Sequence, residues 1–166
     1  MSVPASRLTA GAFVLLAAAA SGCATSGPAG PWVAPPRLSP VVAPDESAVV
    51  RTALRYLGTP YVLGGVTPDG FDCSGFVWYV YRAHGVMLPR NVAKQAAVGR
   101  HVGRGDIQAG DLVFFSTTAP GVTHVGLATS RDAFVHAPNS RGVVRIEMLT
   151  SAYWSAHFAG ARRVAP

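Results

Sequence analysis

Gly70-Phe71-Asp72-Cys73-Ser74-Gly75-Phe76-Val77 is the stretch on which the fold and chemistry of this chain turn. A glycine-bounded turn runs into a helical pattern, with Phe76, Val77, Val80 and Tyr81 on one face and Gly85 as its stop. That spacing predicts a helix from Cys73 to about His84. Asp72 stands where a carboxylate caps the first turn. Cys73 thus opens the helix, where unpaired backbone N–H groups and the helix dipole favour negative charge. The position predicts a thiol shifted toward thiolate.

Working outward, Pro44-Asp45-Glu46-Ser47 is a helix-start signal, followed by Val49, Val50, Ala53, Leu54 and Leu57 at helical spacing and ended by Gly58. A loop through Thr59, Pro60, Tyr61 and Gly65 returns the chain to Phe71. Beyond the central helix, Asn91 is placed to cap a short third helix, Val92 to Val98. The period then changes to two. Residues 111–115, 123–129, 133–137, 143–146 and 158–164 read as strands separated by turn residues. Helices first and an antiparallel sheet second make the class α+β.

A nucleophilic thiolate needs a base. Of the five histidines, His84, His101 and His157 fall at a helix end, in a charged Gly/Arg stretch and in a segment of weak pattern. Surface or capping roles suit those three. His124 and His136 occupy consecutive strands about the turn Ser130-Arg131-Asp132. Their equal parity on an antiparallel hairpin puts both imidazoles on one face, as direct or diagonal neighbours. One histidine beside the sulfur and a second polar group orienting the first is what a cysteine relay requires. Val125, Leu127 and Val135 then face the core.

The only other cysteine, Cys23, lies behind an apolar run from Leu8 to Ala20 that follows Arg7. The run is too short to span a bilayer and reads as a signal segment. Ala20-Ser21-Gly22-Cys23 resembles a bacterial lipoprotein signal, with Ala20 where leucine is commoner. That resemblance implies cleavage before Cys23 and its lipidation. Ala24, in place of an aspartate, points by analogy to the periplasmic face of the outer membrane. An exported protein would then carry Cys73 as a lone thiol, a liability unless its reactivity is used.

Prolines at 28, 31, 35, 36, 40 and 44 make residues 23–44 a semi-extended tether, long enough to reach about 65 Å. Residues 45–166 suffice for one domain with its own core. Without Arg7 the chain has thirteen basic and eight acidic side chains, net +5, scattered and almost all arginine on the basic side. No basic run with interleaved aromatics is present, so nucleic acid is not an expected partner. No CxxC or HExxH spacing supports a zinc site at Cys73, and neither metal nor cofactor is expected.

The motif around Cys73, together with Leu88-Pro89-Arg90, Gly110-Asp111-Leu112-Val113-Phe114-Phe115, His124-Val125-Gly126 and Phe134-Val135-His136-Ala137-Pro138, resembles the NlpC/P60 family of cell-wall cysteine peptidases. The likeness covers residues 46 to 164. It implies a papain-like α+β fold, with the nucleophile helix packed on an antiparallel sheet of five or six strands, and peptidoglycan stem peptides as substrate. By the same resemblance Cys73 is the nucleophile, His124 the general base and His136 its orienting partner, and Tyr61, Asp72 and Ser74 become substrate contacts. Arg90 and Gln95 are placed at the cleft, where an arginine suits a stem-peptide carboxylate; a surface salt bridge is the more ordinary reading for Arg90. Asp72 serves equally well as a helix cap, and Trp78 and Trp154 are assigned to core packing. The layout is similar to single-domain lipoprotein murein endopeptidases, which implies the D-alanyl–diaminopimelate cross-link as the bond cut. The alternatives are the γ-D-glutamyl–diaminopimelate bond within one stem, or a silent murein-binding lipoprotein. A regulatory adaptor or protease leaves no trace in the sequence.

Overall fold

The computed structural model describes residues 48–139 and 142–164. The signal segment, Cys23, the tether and the helix start at Pro44 to Ser47 lie outside the described residues. Among those described, no helix is long and apolar enough to cross a membrane.

The elements run α1 (Ala48–Leu54), β1 (Val66–Thr67), β2 (Gly70–Phe71), α2 (Cys73–Arg82), α3 (Val92–Gln95), β3 (Arg100–Val102), a 3₁₀ turn (Arg104–Asp106), β4 (Leu112–Phe115), β5 (His124–Ala128), β6 (Ala133–His136), β7 (Arg145–Met148), α4 (Ala152–His157) and β8 (Phe158–Arg163). β1 and β2 form a small hairpin. The other six strands make one antiparallel sheet in the order β3-β8-β4-β5-β6-β7. The α+β class and the packing of the helix opened by Cys73 on a six-stranded sheet agree with expectation.

Both faces of this sheet are covered, which is why Leu112–Phe115 is apolar at every position rather than alternating. Leu112, Phe114, Val125, Leu127 and Val135 pack against α1 and α2 through Val50, Ala53, Phe76, Val77, Val80 and Tyr81. Each such buried side chain contributes about 1.5–3 kcal/mol. The opposite face carries Val113, Phe115, Ala128 and Phe134, and α4 closes it with Trp154.

Two glycines set close approaches. A Cβ on Gly75 would lie 2.0 Å from the Gly65 carbonyl oxygen, so only glycine lets the first turn of α2 rest on the loop before it. A Cβ on Gly126 would lie 2.5 Å from Phe134 Cδ2, on the strand that carries His124.

Several expected boundaries move. α1 ends at Leu54 because Arg55, Tyr56 and Leu57 bond back three residues, and Gly58, at φ +86°, turns its N–H to Val144 O at 2.9 Å. Leu57 is consequently 45% exposed rather than core. α3 stops at Gln95, since Ala97 and Val98 also take three-residue bonds. The strand expected at 143–146 begins at Arg145 instead. Val143 and Val144 pair with the loop at Thr59 and Pro60, through Val144 N–H to Thr59 O at 2.8 Å. β3 and α4 were not anticipated.

Candidate active site

Asp72 caps α2 as expected, accepting from the Gly75 N–H at 2.7 Å. Its carboxylate also accepts from Gly64 N–H at 3.0 Å, Ser74 Oγ–H at 3.2 Å and Arg90 Nη2 at 2.5 Å. Arg90 Nη1 in turn donates to Ser74 Oγ at 2.7 Å. Asp72, Ser74 and Arg90 thus form one network that fixes the turn bearing Cys73. Gln95 does not line the cleft. It is fully buried and ties α3 to α2 by donating to Ser74 O at 3.0 Å and Pro89 O at 2.7 Å.

Burial alone would raise the Asp72 pKa, but the bonds from Arg90, Gly75 and Gly64 outweigh it and hold the carboxyl below its usual 3.8. A depressed carboxylate adds stability above the unfolded pKa and loses it as pH falls through the folded one. Arg90 is 37% exposed and therefore screened. Asp72→Ala is expected to cost about 2–3 kcal/mol at pH 7 from the lost cap and broken pair. That gap should narrow below pH 3.8, where the wild-type carboxyl protonates. Urea melts at pH 7 and pH 3 check this; an equal gap at both would contradict an ionised Asp72.

Cys73 is a free, partly exposed cysteine. The β5–β6 ladder holds Leu127 to Val135 and Ala128 to Phe134 and ends before the histidines. Val125 N–H, the amide next to His124, is thereby free to bond the Cys73 sulfur, joined by the N–H groups of Ser74 and Cys73 itself. The expected direction of the thiol pKa is corrected. Burial and the neighbouring Asp72 carboxylate push it up, and these three N–H bonds oppose that only in part. At neutral pH the Cys73 side chain is therefore a thiol.

His124 and His136 meet as the parity argument requires. His124 Nε2 and His136 Nδ1 are 2.7 Å apart, with the rings edge-on at 89°. His136 is fully buried and His124 nearly so. Burial pushes His124 down to about 4 and His136 lower still, the latter aided by the charges of His124 and Arg145. Both are neutral at pH 7. With Nε2 of His124 committed to His136, Nδ1 is the nitrogen left to accept a proton. For Nδ1 to serve in that way, His124 must donate from Nε2 and the His136 proton must sit on its own Nε2, a buried atom with no partner among the described residues.

Tyr61 lies close to Cys73 and Asp72. Its phenol is raised by burial and by the charges of Cys73 and Asp72, with Arg90 opposing. Trp154 is more than core packing. It stacks on His124 at 25° with centroids 5.7 Å apart, and meets His136 edge-on at 5.1 Å. It shields the imidazole pair from water and offers a π-face to an imidazolium. His84 bonds Thr52 Oγ1 at 2.8 Å, and His157 ends α4 with its Nδ1 bonded to Tyr153 O at 2.7 Å. Sequence reasoning missed a pocket of about 370 Å³ beside His124, lined also by Arg145, Glu147, Tyr153 and Trp154. Among the described residues no group of three His, Cys, Asp or Glu side chains is disposed to hold a metal ion.

The model of the NlpC/P60 family matches residues 58–163. The chain is 40% identical over 137 residues to the gamma-DL-glutamyl hydrolase of Bacillus subtilis, covering 81% of this chain and 33% of that protein. It is 42% identical over 120 residues to the murein DD-endopeptidase MepS/murein LD-carboxypeptidase of Escherichia coli, covering 72% of this chain and 63% of the other. It therefore spans less than two thirds of either relative. Among solved structures, an NlpC/P60 family protein from Bacillus cereus superposes with a TM-score of 0.67 at 34% identity, covering 71% of this chain and 39% of the other.

Proposed function

This chain belongs to the NlpC/P60 family, and from that premise we propose that it is a cysteine endopeptidase of peptidoglycan stem peptides. The observation that carries the reading is the His124–His136 bond at 2.7 Å, set one residue from the amide that holds the Cys73 sulfur. The names of the two curated relatives support the substrate class.

Cys73 passes its proton to His124 Nδ1 as the sulfur attacks the peptide carbonyl carbon. The oxyanion is held by the Cys73 backbone N–H, with Tyr61 O–H as second donor. Transient imidazolium is stabilised by His136 Nδ1 and the Trp154 face. His124 then protonates the leaving nitrogen and the C–N bond breaks, leaving a thioester. Water attacks that thioester while giving a proton to His124, and collapse returns the thiol. Asp72, Ser74 and Arg90 shape the acyl side of the cleft.

The bond cut is the D-alanyl–diaminopimelate cross-link or the γ-D-glutamyl–diaminopimelate bond within one stem. Mass spectrometry of muropeptides from digested sacculi separates them: the first converts cross-linked dimers to monomers, the second releases the distal part of the stem. No change in either product would contradict the peptidase reading.

We further propose export and lipidation at Cys23, which would hold the domain at the periplasmic face of the outer membrane. Labelled palmitate should enter the wild type and not Cys23→Ser. Equal labelling of both would contradict the anchor.

A further inference from the structure

We propose that the pocket beside His124 is a subsite for an amino-acid head group that carries an ammonium and a carboxylate on one carbon. In the peptidase reading, on which the choice of ligand rests, this is the free distal end of a diamino acid on the leaving side of the scissile bond. His124 lines the pocket, and in that reading it delivers the proton to the leaving nitrogen, which sets the leaving side of the bond toward this pocket.

Arg145 and Glu147 alternate along β7, opposite His136 and Phe134, and both line this pocket. They sit together through Arg145 Nε and Glu147 Oε1 at 2.7 Å. Among the described residues the two terminal guanidinium nitrogens and Glu147 Oε2 have no partner. The side chains are 50% and 29% exposed, so both are within reach of a ligand. An exposed pair of this kind contributes little to stability, and its placement against the general base is not a folding requirement.

The charge pattern selects the ligand. A carboxylate alone gains Arg145 but faces Glu147, and an ammonium alone gains Glu147 but faces Arg145. A carbon bearing both groups satisfies both through charge-assisted hydrogen bonds, with the guanidinium fork taking the carboxylate. Tyr153, 52% exposed, and Trp154 supply an apolar wall for the methylenes between that carbon and the scissile nitrogen. Diaminopimelate with a free distal end meets this description, whereas lysine lacks the carboxylate. The pair therefore favours the γ-D-glutamyl bond of an uncross-linked stem, since the cross-link acylates the distal amine.

The test is binding to the full chain carrying Cys73→Ala, which cannot turn the probe over. Two tripeptides of the stem, one ending in meso-diaminopimelate and one in lysine, are titrated by NMR. The diaminopimelate peptide is expected to bind about tenfold or more tighter, with shifts at 145–147 and 151–154. Arg145→Gln and Glu147→Gln should each bring its affinity to within about twofold of the lysine peptide. Retained binding of the lysine peptide shows that the variants are folded. Equal affinity for the two peptides in the parent, or a preference that survives Arg145→Gln, overturns the subsite. Cleavage by the Cys73-bearing protein is scored apart: its absence overturns the peptidase reading, while the binding comparison still decides the subsite.

Discussion

Cys73→Ala is expected to abolish stem-peptide cleavage, lowering kcat/KM on the order of 10⁴-fold or more, in a protein that melts within a few degrees of the wild type. The two halves of this expectation have separate causes. Activity goes because the sulfur is the atom that forms the acyl intermediate in the proposed mechanism. Stability stays because the substitution removes one partly exposed atom and leaves a good helix former in the first turn of α2. The turn is held by Asp72, Arg90 and Gly75, none of which uses the sulfur. Circular dichroism with a thermal melt, beside muropeptide analysis, checks both. Retained hydrolysis by a folded Cys73→Ala protein would contradict the mechanism.

His124→Gln is expected to lower kcat/KM by about 10³–10⁴-fold, since a carboxamide cannot relay a proton. Glutamine can still reach His136 by a hydrogen bond, so a folded variant is expected to remain. His136→Ala should cost less, about 10²-fold, because it disorients the base without removing it. The pH profile carries a signed expectation. His124 must be neutral to accept the proton, and burial pushes it down to about 4. Activity should persist well below the ordinary histidine range and fall as pH drops through that value. Cys73, pushed up by burial, should be alkylated by iodoacetamide slowly at neutral pH and faster as pH rises. Rapid alkylation at pH 6 would instead indicate a preformed thiolate.

What was legible in the sequence was what local physics writes there. The Asp72 cap, the apolar face of α2 and the parity of His124 and His136 follow from side-chain period and turn position. All three appear as expected. α4 was not legible because six residues, AYWSAH, are too few to show an apolar stripe. Trp154 then read as generic core, although its stacking on His124 is a tertiary fact. β3, Arg-His-Val, is an edge strand of three residues with only Val102 buried, too short for an alternation to be read. β7 moved by two because the loop at Thr59 and Pro60 captured Val143 and Val144, a pairing between residues more than 80 apart in the chain. The thiol misled for a related reason: the helix N-terminus is visible in sequence, but the burial that outweighs it is not. Arg145 and Glu147 became informative only once β7 set them against His124.

The most direct test of the central claim is to trap the acyl-enzyme. The protein is mixed with muropeptides, quenched in acid within milliseconds to seconds, digested, and mapped by mass spectrometry. The proposed mechanism predicts a stem-peptide acyl group on the peptide containing Cys73, absent from Cys73→Ala and accumulating when hydrolysis is slowed. Product formation with no acyl group on Cys73 at any quench time, or an adduct on another residue, would contradict it.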